Sequence, residues 1–343
     1  APDCPGITTS GPDFTGVFIN DAGALGIKTA ATFRLQSGKP SFSAATFGFQ
    51  EETEVVAALQ SLASSGLAVN AFSFGGYHHK VFTNRPPPST EAARALAKTI
   101  MKQAGNPVRG ALRLAAMSRP GGAGFLNKYP WSLTIICEGF DNRTAGAKCR
   151  RAKKILRHHG GRALPPTLGY ALLAEPFQPI ASLINGLGGE CSVPTNCTVP
   201  PSAAQGVIAD LDKFFADHGD TMQKHGLFTA RLHLLYGSMF GVEPLIYWPD
   251  ALSPLRLSVS DSAEQDALAQ LPANPEARNI ALQLRKSLVS EVFAKHRAGH
   301  AQIGKYYPLQ DALATPGSWG MLQRFKTSVD PNGVMNPGGL GLT

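Results

Sequence analysis

One pattern occurs twice in this chain, and it limits the folds open to it. The apolar segment Ser43–Phe49 ends in Gly48-Phe49. It is followed by Glu51–Ser65, with an acidic first turn, where Val55, Val56, Leu59, Leu62 and Ala63 keep helical spacing until Gly66. Further on, Ser132–Phe140 ends in Gly139-Phe140, and Asp141 or Asn142 can cap the helix after it. Ala145, Cys149, Ala152 and Leu156 form the apolar stripe of that helix, and Gly160-Gly161 stops it. Strand, Gly-Phe, helix, Gly, repeated at nearly equal length, reads as an internal duplication. Such units pair into an antiparallel sheet carrying helices on one face, which makes the chain α+β.

Length and composition leave room for more than this unit. The 343 residues suit two domains with a sizeable core. No run of about 18 apolar residues exists, so no membrane-spanning helix is expected. The net charge of +8 suits an anionic ligand or an acidic partner, but also a plain solvated surface, and no nucleic-acid motif accompanies it. Arg150, Arg151, Lys153, Lys154 and Arg157 share the outer face of the second repeat helix, where a solvated face and a phosphate or partner patch are both open readings. Five cysteines are too few and odd for a disulfide framework and fit a reducing, cytoplasmic setting. Cys191 and Cys197 are near enough in sequence to bridge across a Pro-containing loop.

The remaining segments read as follows. Thr15–Asn20 and Ile27–Leu35 are strand candidates joined by Asp21-Ala-Gly-Ala-Leu-Gly26, where Gly23 and Gly26 allow positive φ or a close approach. Ser89 or Thr90 can cap a helix reaching about Ala104. Gly186–Pro201 is loop-like, and Ala203–Lys224 is an amphipathic helix with Val207, Ile208, Leu211, Phe214 and Phe215 inward. Leu227–Leu235 and Val242–Trp248 are strand candidates, Glu276–His296 is a long helix, and Ala301–Tyr307 is a strand. Pro316 suits the first turn of a last helix ending near Ser328.

General catalytic motifs are missing: no GxSxG, no Walker sequence, no HExxH, and no GxGxxG after a strand. His78-His79 and His158-His159 are adjacent pairs, which diverge on either a strand or a helix and so do not favour joint metal chelation. The tail is more specific. Val329-Asp-Pro-Asn-Gly-Val-Met-Asn-Pro-Gly338 contains two tight turns, with Pro setting φ and Gly supplying φ > 0.

That tail resembles the terminal D-P-x-G-x-M-N-P-G motif of flavin-linked oxidases. The stretch Gly11–Leu35 resembles the closing segment of the flavin-binding domain in the vanillyl-alcohol oxidase / p-cresol methylhydroxylase flavoproteins. The two motifs stand at opposite ends of the chain in the family's order, so the resemblance spans nearly all of it. Ile303-Gly-Lys-Tyr-Tyr-Pro308 is similar to the strand that returns under the flavin ring. The resemblance implies three parts: residues 1–40 as the end of a PCMH-type FAD-binding domain, 41–300 as a ferredoxin-like duplicated antiparallel-sheet cap (substrate) domain, and 301–343 as a return segment. It implies bound FAD, with Gly23, Ala24, Gly26 and Ile27 touching it and Asn336 closing over the ring side. Two departures stand out. Ala22 and Ala24 replace the Glu and Thr of the common motif, and the upstream loop that holds the pyrophosphate is not in this sequence. The expectation is that this chain alone binds FAD weakly or not at all.

The implied activity is FAD-linked oxidase or dehydrogenase chemistry, a hydride passing from an alcohol or phenol to flavin. It needs a base or polarising group near the ring. His300, Tyr306, His233 and Arg231 are the candidates; Glu243 flanks the same strand pair. Each has a plain alternative as a hydrogen-bonded structural residue. The paired-histidine metal element of the hydroxy-acid-oxidising relatives is not found, since His233 stands alone in Arg231-Leu-His-Leu-Leu-Tyr236, and no metal is expected. A hydroxy acid or sugar remains a rival substrate class. A non-catalytic subunit partnering a separate flavoprotein chain is a rival of another kind, and a second chain could supply the flavin domain or accept electrons.

Overall fold

The computed structural model describes residues 14–33, 35, 38–83, 90–104, 106–117, 128–174, 185–258, 260, 264–300, 309–313 and 315–342. The first element is one helical turn, α1 (Thr15–Phe18), and residues 26–33 have no regular structure. Both expected N-terminal strands are thereby corrected. A strand persists through the ladder that pairs its backbone. No described segment runs beside residues 26–33, and Ile27 and Phe33 are 81% and 78% exposed.

The doubled unit is present. β1 (Ser41–Phe49), α2 (Glu52–Ser65) and β2 (Asn70–Gly75) form the first copy. The helices α3 (Gly76–Thr83), α4 (Thr90–Ala104) and α5 (Pro107–Met117) are inserted after it. β3 (Trp131–Gly139), α6 (Asn142–His158) and β4 (Arg162–Leu164) form the second copy. The strands lie in the order β4-β1-β3-β2, each antiparallel to its neighbours. That is the ferredoxin-like arrangement. Local chemistry sets the helix ends. Glu51 and Glu54 form a reciprocal capping box, Gly66 ends α2 at φ 59°, and Asp141 caps α6 through the Thr144 amide.

The glycines of the two Gly-Phe pairs have a packing reason. A Cβ at Gly139 would lie 2.5 Å from the Ala145 amide nitrogen at the start of α6. One at Gly48 would lie 2.4 Å from the Tyr129 ring. The copies differ in the next residue: Phe49 is buried and Phe140 is exposed.

After α7 (Thr167–Ala174) the chain extends the same sheet. β5 (Cys191–Pro194) and β6 (Cys197–Val199) precede α8 (Ala204–Asp217) and α9 (Gly219–Lys224). β7 (Phe228–Tyr236) then pairs with β2 and with β8 (Met239–Trp248). The short helices α10 (Pro254–Ser258) and α11 (Gln265–Leu268) lead to α12 (Pro275–Ser287), which continues as a π turn over Leu288–Phe293. α13 (Leu309–Ala312) and α14 (Pro316–Val329) complete the chain.

Gly186–Pro201 is therefore not all loop. Pro194 stands opposite Leu245 and Cys197 opposite Val242, so β5 and β6 share one register against β8. The regular ladder is interrupted opposite Pro244, which has no N–H to give, although Thr195 still donates to its carbonyl at 3.0 Å. This single edge strand also excludes the Cys191–Cys197 bridge. Six strand residues span about 20 Å, far beyond disulfide reach, and both thiols are free and buried. The helix expected over Ala203–Lys224 breaks at His218, whose ring bonds the Phe214 carbonyl at 2.8 Å.

Helices cover both faces of the sheet, not one. On the first face Ala45, Phe47 and Phe49 of β1 and Leu133, Ile135 and Cys137 of β3 meet the apolar stripes of α2, α6, α8 and α12. On the second, Ala44 and Ile136 pack under Ile100 of α4 and Tyr170 of α7. Burial on both faces leaves most of β1 and β3 buried, and the polar pair Thr46 and Thr134 on the second face is hydrogen-bonded at 2.9 Å. Phe72, Phe74, Leu232, Leu245 and Tyr247 continue the second face toward β7 and β8. A separate small cluster joins Ala24 and Leu25 to Leu340 and Leu342, with Trp319, Leu322 and Phe325 of α14 against it. No described helix is long and apolar enough to cross a membrane.

Candidate functional site

Two sets of polar groups stand out, one where the chain's ends meet and one on the second face of the sheet. At the first, the Asp21 carboxylate accepts from the Gly23 and Leu25 amides at 3.1 and 3.3 Å and pairs with Lys28. Burial alone would raise the Asp21 pKa; Lys28 and the two amides outweigh it and hold the carboxyl below its ordinary value. Gly23 takes φ 73°, the conformation its turn position required. The tail closes on this turn. Asn336 donates to the Ala22 carbonyl at 2.6 Å, and Lys326 donates to the Ala24 and Met335 carbonyls at 2.8 Å each. Lys326 is also paired with Asp330, whose carboxylate accepts from the Val334 and Met335 amides. The Asp330 carboxyl is held low chiefly by the Lys326 ammonium.

The structure thus brings Gly23, Ala24 and Asn336 into one knot. A Cβ at Gly23 or Gly26 would meet none of the described residues within 4 Å. The Gly26 and Ile27 amides make no hydrogen bond among the described residues.

The second set gathers on β7, β8 and the edge strand. Across a two-residue turn Tyr236 pairs with Met239, and Gly237 takes φ 61° there. Tyr236 and Glu243 point to the same face as Leu232 and Leu234, because side chains alternate along each strand. Asn196, fully buried, donates from its amide to the Tyr236 hydroxyl at 3.1 Å and to Glu243 Oε2 at 3.3 Å. His300 Nδ1 lies 3.3 Å from the Asn196 carbonyl. A carbonyl only accepts, so Nδ1 carries the proton and Nε2 carries the lone pair. Gly299 bridges Thr198 of β6, which sets His300 beside the sheet edge. Burial lowers the His300 pKa, favouring neutral imidazole, and raises those of Glu243 and Tyr236.

His233 and Arg231 lie elsewhere. They point to the opposite face, toward α2. His233 is fully buried, with Nδ1 at 2.6 Å from Ser73 Oγ and Nε2 at 2.9 Å from Glu52 Oε1. Arg231 pairs with Glu52 and Asp212. Tyr306 falls outside the described residues. Reading from the sequence missed Asn196 and Lys326. Among the described residues no group of three His, Cys, Asp or Glu side chains is arranged to hold a metal ion.

No known sequence family and no curated protein matches the chain. Solved structures do. An alkyldihydroxyacetonephosphate synthase aligns with a TM-score of 0.54 at 15% identity, over 95% of this chain and 49% of that one. A 4-ethylphenol oxidase from Gulosibacter chungangensis, in complex with isoeugenol, aligns at 0.54 and 14% identity, over 90% and 55%. A p-cresol methylhydroxylase with substrate bound aligns at 0.50 and 17% identity, over 90% and 54%. The chain spans about half the length of these proteins.

Proposed function

We propose, from a chain that has the fold of p-cresol methylhydroxylase and 4-ethylphenol oxidase, that it is the substrate-side part of an FAD-dependent oxidoreductase acting on an alcohol or phenol. The single observation that carries the reading is that likeness over nine tenths of the chain. In this reading residues 1–40 close the flavin domain, 41–300 are the cap and 301–343 return to the flavin.

The residues at the knot fit part of the cofactor. Two amides, at Gly26 and Ile27, unbonded among the described residues and beside space at Gly23 and Gly26 that no described residue fills, suit the acceptor atoms along the edge of a flavin ring. Ala22 and Ala24 add no side-chain donors, and the pyrophosphate needs donors beyond these residues. Asn336 would close the ring side. Bound flavin supplies a two-electron acceptor for hydride from the substrate carbon. The polar set supplies the rest. His300, neutral and with Nε2 basic, takes the substrate hydroxyl proton; Tyr236 and the Asn196–Glu243 pair hold the oxygen. Leu234, half-buried on the same face, carries the ring or chain of the substrate. His233 and Arg231, consumed by Glu52 on the other face, are structural in this reading.

A second reading is favoured by one fact, the half-length match: the chain acts with a second polypeptide that completes the flavin site or accepts the electrons. Absorbance of the purified chain with added FAD tests both. Flavin retained on gel filtration and bleached by a 4-alkylphenol supports the first. Retention only with a co-expressed flavin domain supports the second. A colourless protein in both preparations rules out flavin chemistry.

A further inference from the structure

We propose that Lys326 is a positioning residue for the cofactor: its ammonium fixes the backbone of residues 22–27 so that the Gly26 and Ile27 amides stay available. This rests on the flavin reading above and deepens it.

An ammonium has three hydrogens, and Lys326 places them on three acceptors: the Ala24 carbonyl, the Met335 carbonyl and the Asp330 carboxylate. The side chain is 2% exposed. Its acceptors come from both ends of the chain, so one buried group sets the spacing between the glycine turn and the tail. Several peptide groups of the turn are engaged. Asp21 takes the Gly23 and Leu25 amides, Asn336 holds the Ala22 carbonyl, and Lys326 holds the Ala24 carbonyl.

These ties are not equivalent. The Asn336 bond is exposed, and water can replace it. Ala24 is fully buried, and water cannot reach its carbonyl. Without the amine, two carbonyls and a carboxylate lose their donor inside the cluster of Ala24, Leu25, Leu340 and Leu342. The turn must then move until water reaches them, which carries the Gly26 and Ile27 amides with it. A lysine needed only for tail stability would leave the ligand-facing amides unaffected.

The test compares the full chain, with the flavin domain co-expressed if wild type requires it, against Lys326→Met, which keeps the side-chain length and removes every donor. FAD affinity is read by fluorescence titration, and backbone opening by hydrogen exchange. The expected result is FAD binding weaker by about tenfold or more, the loss of two or three buried bonds. Faster exchange in residues 20–28 and 330–342 should accompany it, with β1 and β3 unchanged. Wild-type affinity and exchange in Lys326→Met overturn the inference and leave the flavin reading standing. Wild-type protein that takes up no FAD in either preparation overturns the flavin reading, and this inference with it. Should Lys326→Met fail to fold, Lys326→Arg decides. It keeps the charge, but its planar fork cannot serve the same three acceptors, so severalfold weaker binding is expected and undiminished binding overturns the inference.

Discussion

Asn196 stands opposite Glu243 across the edge of the sheet, and its amide reaches the Glu243 carboxyl at 3.3 Å. The same nitrogen serves the Tyr236 hydroxyl, so one buried side chain fixes two others near the turn of the β7–β8 hairpin. Burial, the larger influence, raises the Glu243 pKa against this bond.

Glu243 therefore makes stability depend on pH. The folded state binds its proton more tightly than the unfolded chain does. The contribution is complete below the ordinary carboxylate pKa and is lost as pH rises through the raised folded value. Glu243→Gln keeps a neutral group in place. Urea midpoints for this variant should fall less than wild type's between about pH 4 and pH 7, and it should be the more stable protein at neutral pH. Equal pH dependence would remove the buried carboxyl from the account.

His233 and His300 should separate in a stability assay. His233 is bonded on both nitrogens inside the core, and His233→Ala should cost about 2–4 kcal/mol. His300→Ala should stay within about 1 kcal/mol of wild type while abolishing most substrate-dependent flavin reduction. A reversed order in denaturant titrations would exchange their roles.

Two glycines near the start of α6 should respond oppositely to alanine. At Gly139 the new methyl meets the Ala145 backbone at 2.5 Å, and a cost of about 1–3 kcal/mol is expected. At Gly146, inside α6, it meets only the tip of Arg150 at 3.5 Å, and helix propensity should add roughly 0.5–1 kcal/mol of stability. Thermal unfolding of the two variants checks the pair.

His78 is fully buried, and neither ring nitrogen has a partner among the described residues. Desolvation lowers its pKa to about 4, with His79 adding to the effect. The folded state therefore resists protonation. Stability is whole above the ordinary histidine pKa and falls as pH drops toward 4, by up to about 3 kcal/mol over that window. His78→Leu should remove that part of acid sensitivity and be neutral or stabilising at pH 7. A variant as acid-labile as wild type would show that other groups carry it.

The doubled unit was readable because its signals are local. Ala145, Cys149, Ala152 and Leu156 recur at helical spacing, and all four are buried. Pro316 opens α14 from the position proline favours. What could not be read depends on distant partners. Ile27–Leu35 alternates as a strand should, yet no described segment pairs with it. Pro194 and the neighbouring glycines suggested a loop because nothing local announces the β8 edge beside them. On the site, His300 was visible as a histidine near a strand, but its neighbour Asn196 lay inside a segment taken for loop. Lys326 had almost no signal. Lysine is a solvent-facing residue by habit, and only its spacing of four from Asp330 hinted at a pair.

The bond between Lys326 and the Ala24 carbonyl joins positions 302 residues apart. That bond cannot form on a ribosome until Lys326 has emerged, long after the glycine turn. Contacts at such separation carry the greatest entropic cost of ring closure, so the glycine turn should be the last piece of the protein to assemble and the first to open on warming.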